Sequence, residues 1–278
     1  MKLSERLNRL AEQIEKGETV ADIGTDHGYL PIFLYKTGKS PKVIFADISE
    51  GSLDKARECC KELCPGEKFD FRRGDGLDIL ENGEVDAVII AGMGGLLMAD
   101  ILEWDIEKTC SIKKFVFQPR NNAGYLRKWL LERNFIIKEE SLVREGDFIC
   151  EIITALSPKS VPSKKNNHVD RDTDNRRKDG RGFRRNIEIH QLEEQIKYEF
   201  PESLVKYSND VTEEYLKLHL QKARFIKNKI EEGCSDSLED HKDYQYMCVQ
   251  EKHILHLLDK LNKGDVSNEN TASGKDTE

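Results

Sequence analysis

The chain has 278 residues, 37 % hydrophobic and 35 % charged, with a formal net charge of -8. That length suits one or two domains. No run of about 18 apolar residues marks a membrane span, and the acidic balance argues against a nucleic-acid binder unless basic residues cluster locally.

The opening residues, MKLSERLNRLAEQI, are amphipathic and charged, without the apolar block and cleavage site of a signal peptide, so the expected compartment is the cytoplasm. Seven cysteines follow no disulfide framework and read as reduced thiols. Cys60 and Cys64 lie one helical turn apart, but no further ligands follow at a recognisable spacing, so no metal is expected.

Leu3, Leu7, Leu10 and Ile14 recur at three- and four-residue spacing and predict a helix over 2–16, stopped by Gly17. TVADIG is a short buried strand. GYLPIFLYKTG is a helix that tolerates Pro31 in its first turn. KVIFADIS is a second strand, and SEGSLDKARECCKELC a helix capped by Ser49. KFDFRRGDGL is a third strand with its loop. VDAVIIAGMGG is a fourth strand, apolar almost throughout, as a central parallel strand is. The helix LLMADILEW, the strand KKFVFQP and the helix AGYLRKWLLERNF follow, the last with Leu126, Trp129 and Leu130 on one face. IIKEESLVREGDFICEIITAL reads as two closing strands in a hairpin-like arrangement. Alternation of this kind predicts an α/β fold: a Rossmann-like, mostly parallel sheet with an antiparallel edge.

This domain is expected over 1–157. Composition then changes: residues 159–186 hold ten Lys or Arg against four Asp, a net of +6. Residues 158–186 therefore read as a basic insertion or linker with too few apolar side chains to order itself. Residues 187–262 read as a helical, coiled-coil-like hairpin, on stripes formed by Leu216, Leu220, Ala223 and Ile230 and by Met247, Ile254, Leu258 and Leu261. A polar tail, 263–278, follows.

The chemistry concentrates at the ends of strands. Asp22, Gly24 and Gly28 form D-x-G-x-x-x-G at a strand-to-helix turn, where glycines admit a ligand to the backbone and the helix offers free N–H groups. The spacing is not that of a dinucleotide loop, and no lysine follows as in a P-loop. A leading acid is instead typical of loops that bind S-adenosylmethionine, although an ordinary tight turn is the plain alternative. Asp47 ends the second strand, where a carboxylate can accept both ribose hydroxyls, and Ile48 beside it can pack on an adenine. Asp75 and Gly76 follow the third strand, with Asp75 suited to an adenine amino group. Gly92, in AGMGG, is a candidate cofactor contact whose bare backbone also suits a flat substrate lying close to the methyl donor; a flexible turn is the plain alternative. Asp26, His27 and Tyr29 sit on the first loop as candidates for proton or charge handling and for stacking; a helix cap is the alternative for Asp26. Gln118 and Arg120, at the end of the fifth strand, are candidate substrate contacts.

The blocks ADIGTDHGYLPI, GDGL, IAGMGG and QP followed by LRKWL occur in this order over about 160 residues. Together they resemble the bacterial tRNA adenine-22 N1-methyltransferase family, known as TrmK; YEFPESLV and YLKLHLQK resemble its helical appendage. The resemblance implies a class I methyltransferase fold and methyl transfer from S-adenosylmethionine to N1 of one adenosine, at position 22 in the D-arm of tRNA. It implies that Asp22, Gly24, Gly28, Asp47 and Asp75 hold the donor and that Asp26, His27 and Tyr29 lie beside the acceptor. The basic segment departs from the family pattern. With Lys2, Arg6 and Arg9 it supplies positive charge for tRNA phosphates. The expected partner is tRNA, not DNA or membrane, and a monomer is favoured. Without the resemblance the residues support only an S-adenosylmethionine-dependent methyltransferase. A transferase acting on another substrate and a non-catalytic tRNA-binding protein of the same fold are the alternatives.

Overall fold

The computed structural model describes residues 1–159, 180–233, 238 and 241–272. The chain divides into two compact units, Met1–Ser163 and Lys164–Glu278.

In the first unit, α1 (Glu5–Glu12) precedes β1 (Val20–Ile23), α2 (Tyr29–Lys36), β2 (Val43–Asp47), α3 (Glu50–Leu63), β3 (Asp70–Arg73) and β4 (Ala87–Met93). Then come α4 (Gly95–Trp104), α5 (Ile106–Ser111), β5 (Lys114–Pro119), α6 (Ala123–Glu132), β6 (Ile136–Glu145) and β7 (Phe148–Leu156). The helix expected over 2–16 is shorter. Ser4 Oγ accepts from Leu7 N at 3.4 Å and caps it, while Leu3 and Ile14 stay buried outside it. The short α5 has no periodic signal in the sequence; Asp105 caps it, accepting from Lys108 N at 3.0 Å.

The seven strands run in the order β3-β2-β1-β4-β5-β7-β6. The first five are mutually parallel. The β6–β7 hairpin is the antiparallel margin: β7 is the reversed strand and β6 is outermost. Each central strand reads as continuously apolar because its alternate residues serve two cores. Ala21, Ile44, Val88, Ile90 and Phe117 face the cluster under α4 and α6. Val20, Phe45, Ala87, Ile89 and Val116 face the cluster under α1, α2 and α3.

One buried charge cluster ties α6 to the hairpin. Arg127 is 1 % exposed and bonds Glu140 of β6 and Glu151 of β7, each at 2.5 Å. Burial alone would lower the arginine pKa; the two carboxylates outweigh it and raise it.

The second unit holds α7 (Gly180–Glu199), α8 (Ser203–Lys206), α9 (Thr212–Gly233) and α10 (Lys242–Ala272). The expected α9–α10 pair is present. α7 is a further long helix, and α10 packs against it as well as against α9. The buried residues include Phe200, Leu216, Leu220, Ala223, Ile254 and Leu257, so part of the second stripe falls on Leu257 in place of Leu258. Glu251 of α10 bonds Arg224 and Lys227 of α9 at 2.7 and 2.6 Å. α7 begins within the expected linker 158–186, and α10 reaches into the expected tail 263–278. Residues 160–179 and 273–278 of those segments lie outside the described residues.

Candidate active site

The loop after β1 is shaped by two glycines in the left-handed region. Gly24 has φ 81° and Gly28, the residue before α2, has φ 70°. Gly24 N and Thr25 N both donate to Ala46 O of β2, at 2.8 and 3.0 Å, which pins the loop to the sheet. A Cβ on Gly24 would stand 2.3 Å from Met93 Cε, and one on Gly28 would stand 2.7 Å from Phe45 Cε1. Backbone conformation disfavours a side chain at both positions; at Gly28 the buried Phe45 ring also takes the space, whereas at Gly24 the neighbour is the end of the flexible Met93 side chain.

Between this loop, the end of β4 and α1 lies a cavity of about 330 Å³. Of the residues selected from the sequence, Asp22, Gly24, Asp26, His27, Gly28, Tyr29 and Gly92 line it. Arg6, Leu7 and Thr25 also line it. Arg6 and Leu7 belong to a helix with no local signature of a site; only the packing of α1 brings them there.

Asp22 is 8 % exposed, and its pKa is pushed up to about 6. Burial is the main cause and the nearby Asp47 adds to it, while the Thr25 hydroxyl and the Arg6 charge pull the other way. The Thr25 hydroxyl stands close enough to Asp22 for that electrostatic effect, yet among the described residues it has no partner at hydrogen-bonding geometry. Arg6 is held from two sides: Nη1 donates to Gln118 Oε1 at 3.2 Å, and Nε lies 3.5 Å from Glu145 Oε1.

Asp26 does not cap α2, whose first residue is preceded by Gly28 without a side-chain cap bond. Instead Asp26 Oδ1 accepts from Lys55 Nζ of α3 at 2.8 Å, and Oδ2 lies 3.4 Å from His27 Nε2. The lysine bond is the main reason that the Asp26 pKa is lowered. Lys55 was not among the residues picked out from the sequence, because it lies 29 positions away on another helix. His27 and Tyr29 rings stand 5.5 Å apart between centroids, both largely open to solvent.

The remaining candidates lie outside this lining. Asp47 is half-buried at the end of β2 and Oδ1 accepts from Ser49 N at 2.7 Å; Ile48 is 64 % exposed. Asp75 is exposed in a turn, and Gly76 has φ 51°. Gly74 N donates to Asp47 O at 3.2 Å, so the loops after β2 and β3 adjoin. Arg120 is exposed. Gln118, the other expected substrate contact, is 4 % exposed and its amide bonds Arg6 and Pro119 O. A side chain at the end of a fully buried strand points into packing, which spacing alone does not reveal.

Acids and glycines thus gather at the carboxyl ends of parallel strands, where open α/β sheets bind ligands. Residues 3–153 match the family model described as a methyltransferase domain. The tRNA (adenine(22)-N(1))-methyltransferase of Bacillus subtilis (strain 168) is 35 % identical over 155 residues, covering 56 % of this chain and 65 % of that protein. The match thus spans just under two thirds of that relative's length. A solved structure of a protein in the NADB-Rossmann superfamily from Streptococcus agalactiae aligns with TM-score 0.72 and 27 % identity, covering 93 % of this chain and 98 % of the other. The B. subtilis M1A22 tRNA methyltransferase TrmK shares the fold, with TM-score 0.70 at 24 % identity over 92 % of this chain and 99 % of the other. With more than half of its length matching the methyltransferase-domain model, and with the loop geometry that such a sheet requires, the chain belongs to the methyltransferase family.

Proposed function

We propose that the chain transfers the methyl group of S-adenosylmethionine to N1 of an adenosine in tRNA, at position 22 in the D-arm. Family membership supports the reaction type, and the likeness to the B. subtilis enzyme supports the substrate. The observation that carries the donor half is the cavity at the ends of β1 and β4, walled by two glycines in the left-handed region and floored by a buried acid.

The residues fit the donor chemically. The bare backbone at Gly24 and Gly28 admits a ligand closely. Asp47 binds Ser49 N through one oxygen, and a carboxylate at a strand tip suits ribose hydroxyls. Asp22 offers a carboxylate to an ammonium group, and the buried Thr25 hydroxyl offers a further polar contact. When bound, S-adenosylmethionine supplies an electrophilic sulfonium methyl group.

The acceptor side falls to Asp26, His27 and Tyr29. Methylation at N1 leaves the base cationic until its 6-amino group loses a proton. Lys55 keeps Asp26 ionised, which suits it to stabilise that cation and makes it a weak proton acceptor. His27 Nε2 stands 3.4 Å from Asp26 Oδ2 in the same loop. Tyr29, 42 % exposed, offers a face for stacking. A cytoplasmic setting belongs to the same reading. The six cysteines among the described residues are free thiols, and no helix there is long and apolar enough to cross a membrane.

Reverse transcription of tRNA treated with enzyme and donor tests the proposal. N1 methylation blocks Watson–Crick pairing, so a new stop is expected beside one D-arm adenosine. Methyl label in another molecule, with no such stop, would overturn the substrate assignment while leaving the reaction type intact.

A further inference from the structure

Two helices begin side by side at the carboxyl edge of the sheet, and each opens on apolar side chains that stay half-exposed. α4 starts directly after the glycine loop of β4, and its second and third residues, Leu96 and Leu97, are 47 and 50 % exposed. α6 starts after β5, and its third residue, Tyr125, is 48 % exposed. Backbone bonds clip the two starts together: Arg120 N donates to Met93 O at 2.8 Å, and Gly95 N to Asn121 O at 2.9 Å. The approach is so close that a Cβ on Gly95 would stand 2.3 Å from Asn122 O.

Side chains lean toward the N-terminus of their helix. The first-turn residues of α4 and α6 therefore lean toward the strand ends, where Ala91 and Gly92 of β4 line the cavity. Arg120 is exposed on the same clipped loop, and among the described residues its guanidinium has no hydrogen-bond or ion-pair partner. The nearest acid on α4, Asp100, lies one turn further from the strand ends. One edge of the site thus combines an aromatic ring, two leucines and a cation.

Three half-exposed side chains fall well short of the roughly 800 Å² per partner that a stable protein interface covers, which argues against a second copy of the chain. A nucleobase is a better match: its flat face stacks on a small aromatic or apolar patch, and the phosphate beside it suits an arginine. The proposed reaction also frees such a face. N1 lies on the pairing edge of adenine, so the target base must leave its stack to meet the methyl group, and its neighbour then loses a stacking partner.

We infer that Tyr125, with Leu96 and Leu97, forms a stacking platform for the nucleobase next to the target adenosine, and that Arg120 holds the phosphate between the two nucleotides. The inference rests on the tRNA reading above and gives the exposed starts of α4 and α6 a task that packing does not supply.

Transfer RNA carrying 2-aminopurine beside the target adenosine reads the stacking directly, because the probe dims when it stacks. Its complex with Tyr125→Ala should be brighter than its complex with the unaltered chain or with Tyr125→Phe, which keeps the ring. Tyr125→Ala should weaken tRNA binding about 5- to 100-fold, the range for one stacked base, and leave S-adenosylhomocysteine affinity unchanged. Leu97→Ser should give a smaller loss with the same selectivity, and Arg120→Gln should reduce the salt dependence of tRNA affinity by about one phosphate contact. A protein with Tyr125→Ala and Leu97→Ser that keeps parental tRNA affinity and probe brightness would overturn the platform. Equal losses for tRNA and S-adenosylhomocysteine would show that the side chains only support the fold. A changed sedimentation coefficient of the free chain, with tRNA affinity kept, would assign the patch to a second copy instead. If the unaltered chain neither binds nor methylates tRNA, the proposed function fails and the platform with it. Tryptophan-monitored melting checks that each variant is folded; should Tyr125→Ala not fold, Leu97→Ser and Arg120→Gln carry the test.

Discussion

Replacing Gly28 by alanine tests the loop geometry most directly. At φ 70° the residue lies in the left-handed region, which costs a residue with a Cβ about 1–2 kcal/mol. The added methyl would stand 2.7 Å from Phe45 Cε1, 3.0 Å from Cδ1 and 3.2 Å from Ala56 Cβ. The Phe45 ring has little room to retreat: it is fully buried, with Phe69 and Phe71 rings at 5.5 and 4.8 Å. Overpacking of that kind adds about 1–3 kcal/mol. The sum, about 2–5 kcal/mol, corresponds to a fall in Tm of roughly 5–15 °C for a unit of this size. Both tryptophans of the chain, Trp104 and Trp129, lie in the α/β unit, so intrinsic fluorescence follows that unit alone. A companion variant, Phe45→Leu, makes space for the methyl. Combined with Gly28→Ala it should recover the steric share, leaving the backbone share, with a coupling of about 1–2 kcal/mol. A Gly28→Ala protein that melts within about 2 °C of the parent, a shift worth no more than about 1 kcal/mol, would refute the reasoning. Strict additivity of the pair would refute the role given to the ring.

Asp22→Asn should stabilise the fold while weakening the donor site. The carboxyl is raised from 3.8 to about 6 in the folded chain, so its contribution favours folding below pH 4 and turns unfavourable as pH rises through 6, by on the order of 2–3 kcal/mol. The groups acting on it are Thr25, Asp47 and Arg6; melting curves of the variant should show a gain at pH 8 that vanishes near pH 4. Asp26→Asn should lower the methyl-transfer rate about 10- to 100-fold with donor affinity kept, measured as single-turnover label transfer to tRNA; a full rate would exclude the charge-stabilising role. Lys55→Met should bring the acid limb of the rate profile to higher pH, because the lysine bond is what holds the Asp26 pKa down; an unmoved limb would separate Asp26 from that titration. Arg127→Met should destabilise the α/β unit by about 3–5 kcal/mol, because it takes the cation from between Glu140 and Glu151, and urea unfolding followed by tryptophan fluorescence measures it.

Periodicity and composition were enough for the alternating strands and helices, the parallel sheet and the change of character after residue 157. Those features rest on local patterns: a continuous apolar run for VDAVIIAGM, three- and four-residue spacing for the helices, and glycine where φ turns positive. The motif acids at strand ends were legible for the same reason, since a strand that must be apolar throughout makes a terminal aspartate conspicuous. The tertiary structure alone decided what surrounds them. Lys55 meets Asp26 across 29 residues and Arg6 meets Gln118 across 112, and no short-range pattern encodes either pairing. Packing likewise buries Gln118 against Arg6 and pushes the Asp22 pKa up to about 6. Burial, charge and reach are properties of the packed chain. The sequence names the residues able to do the chemistry; the fold determines which of them share a cavity, and in what state of charge.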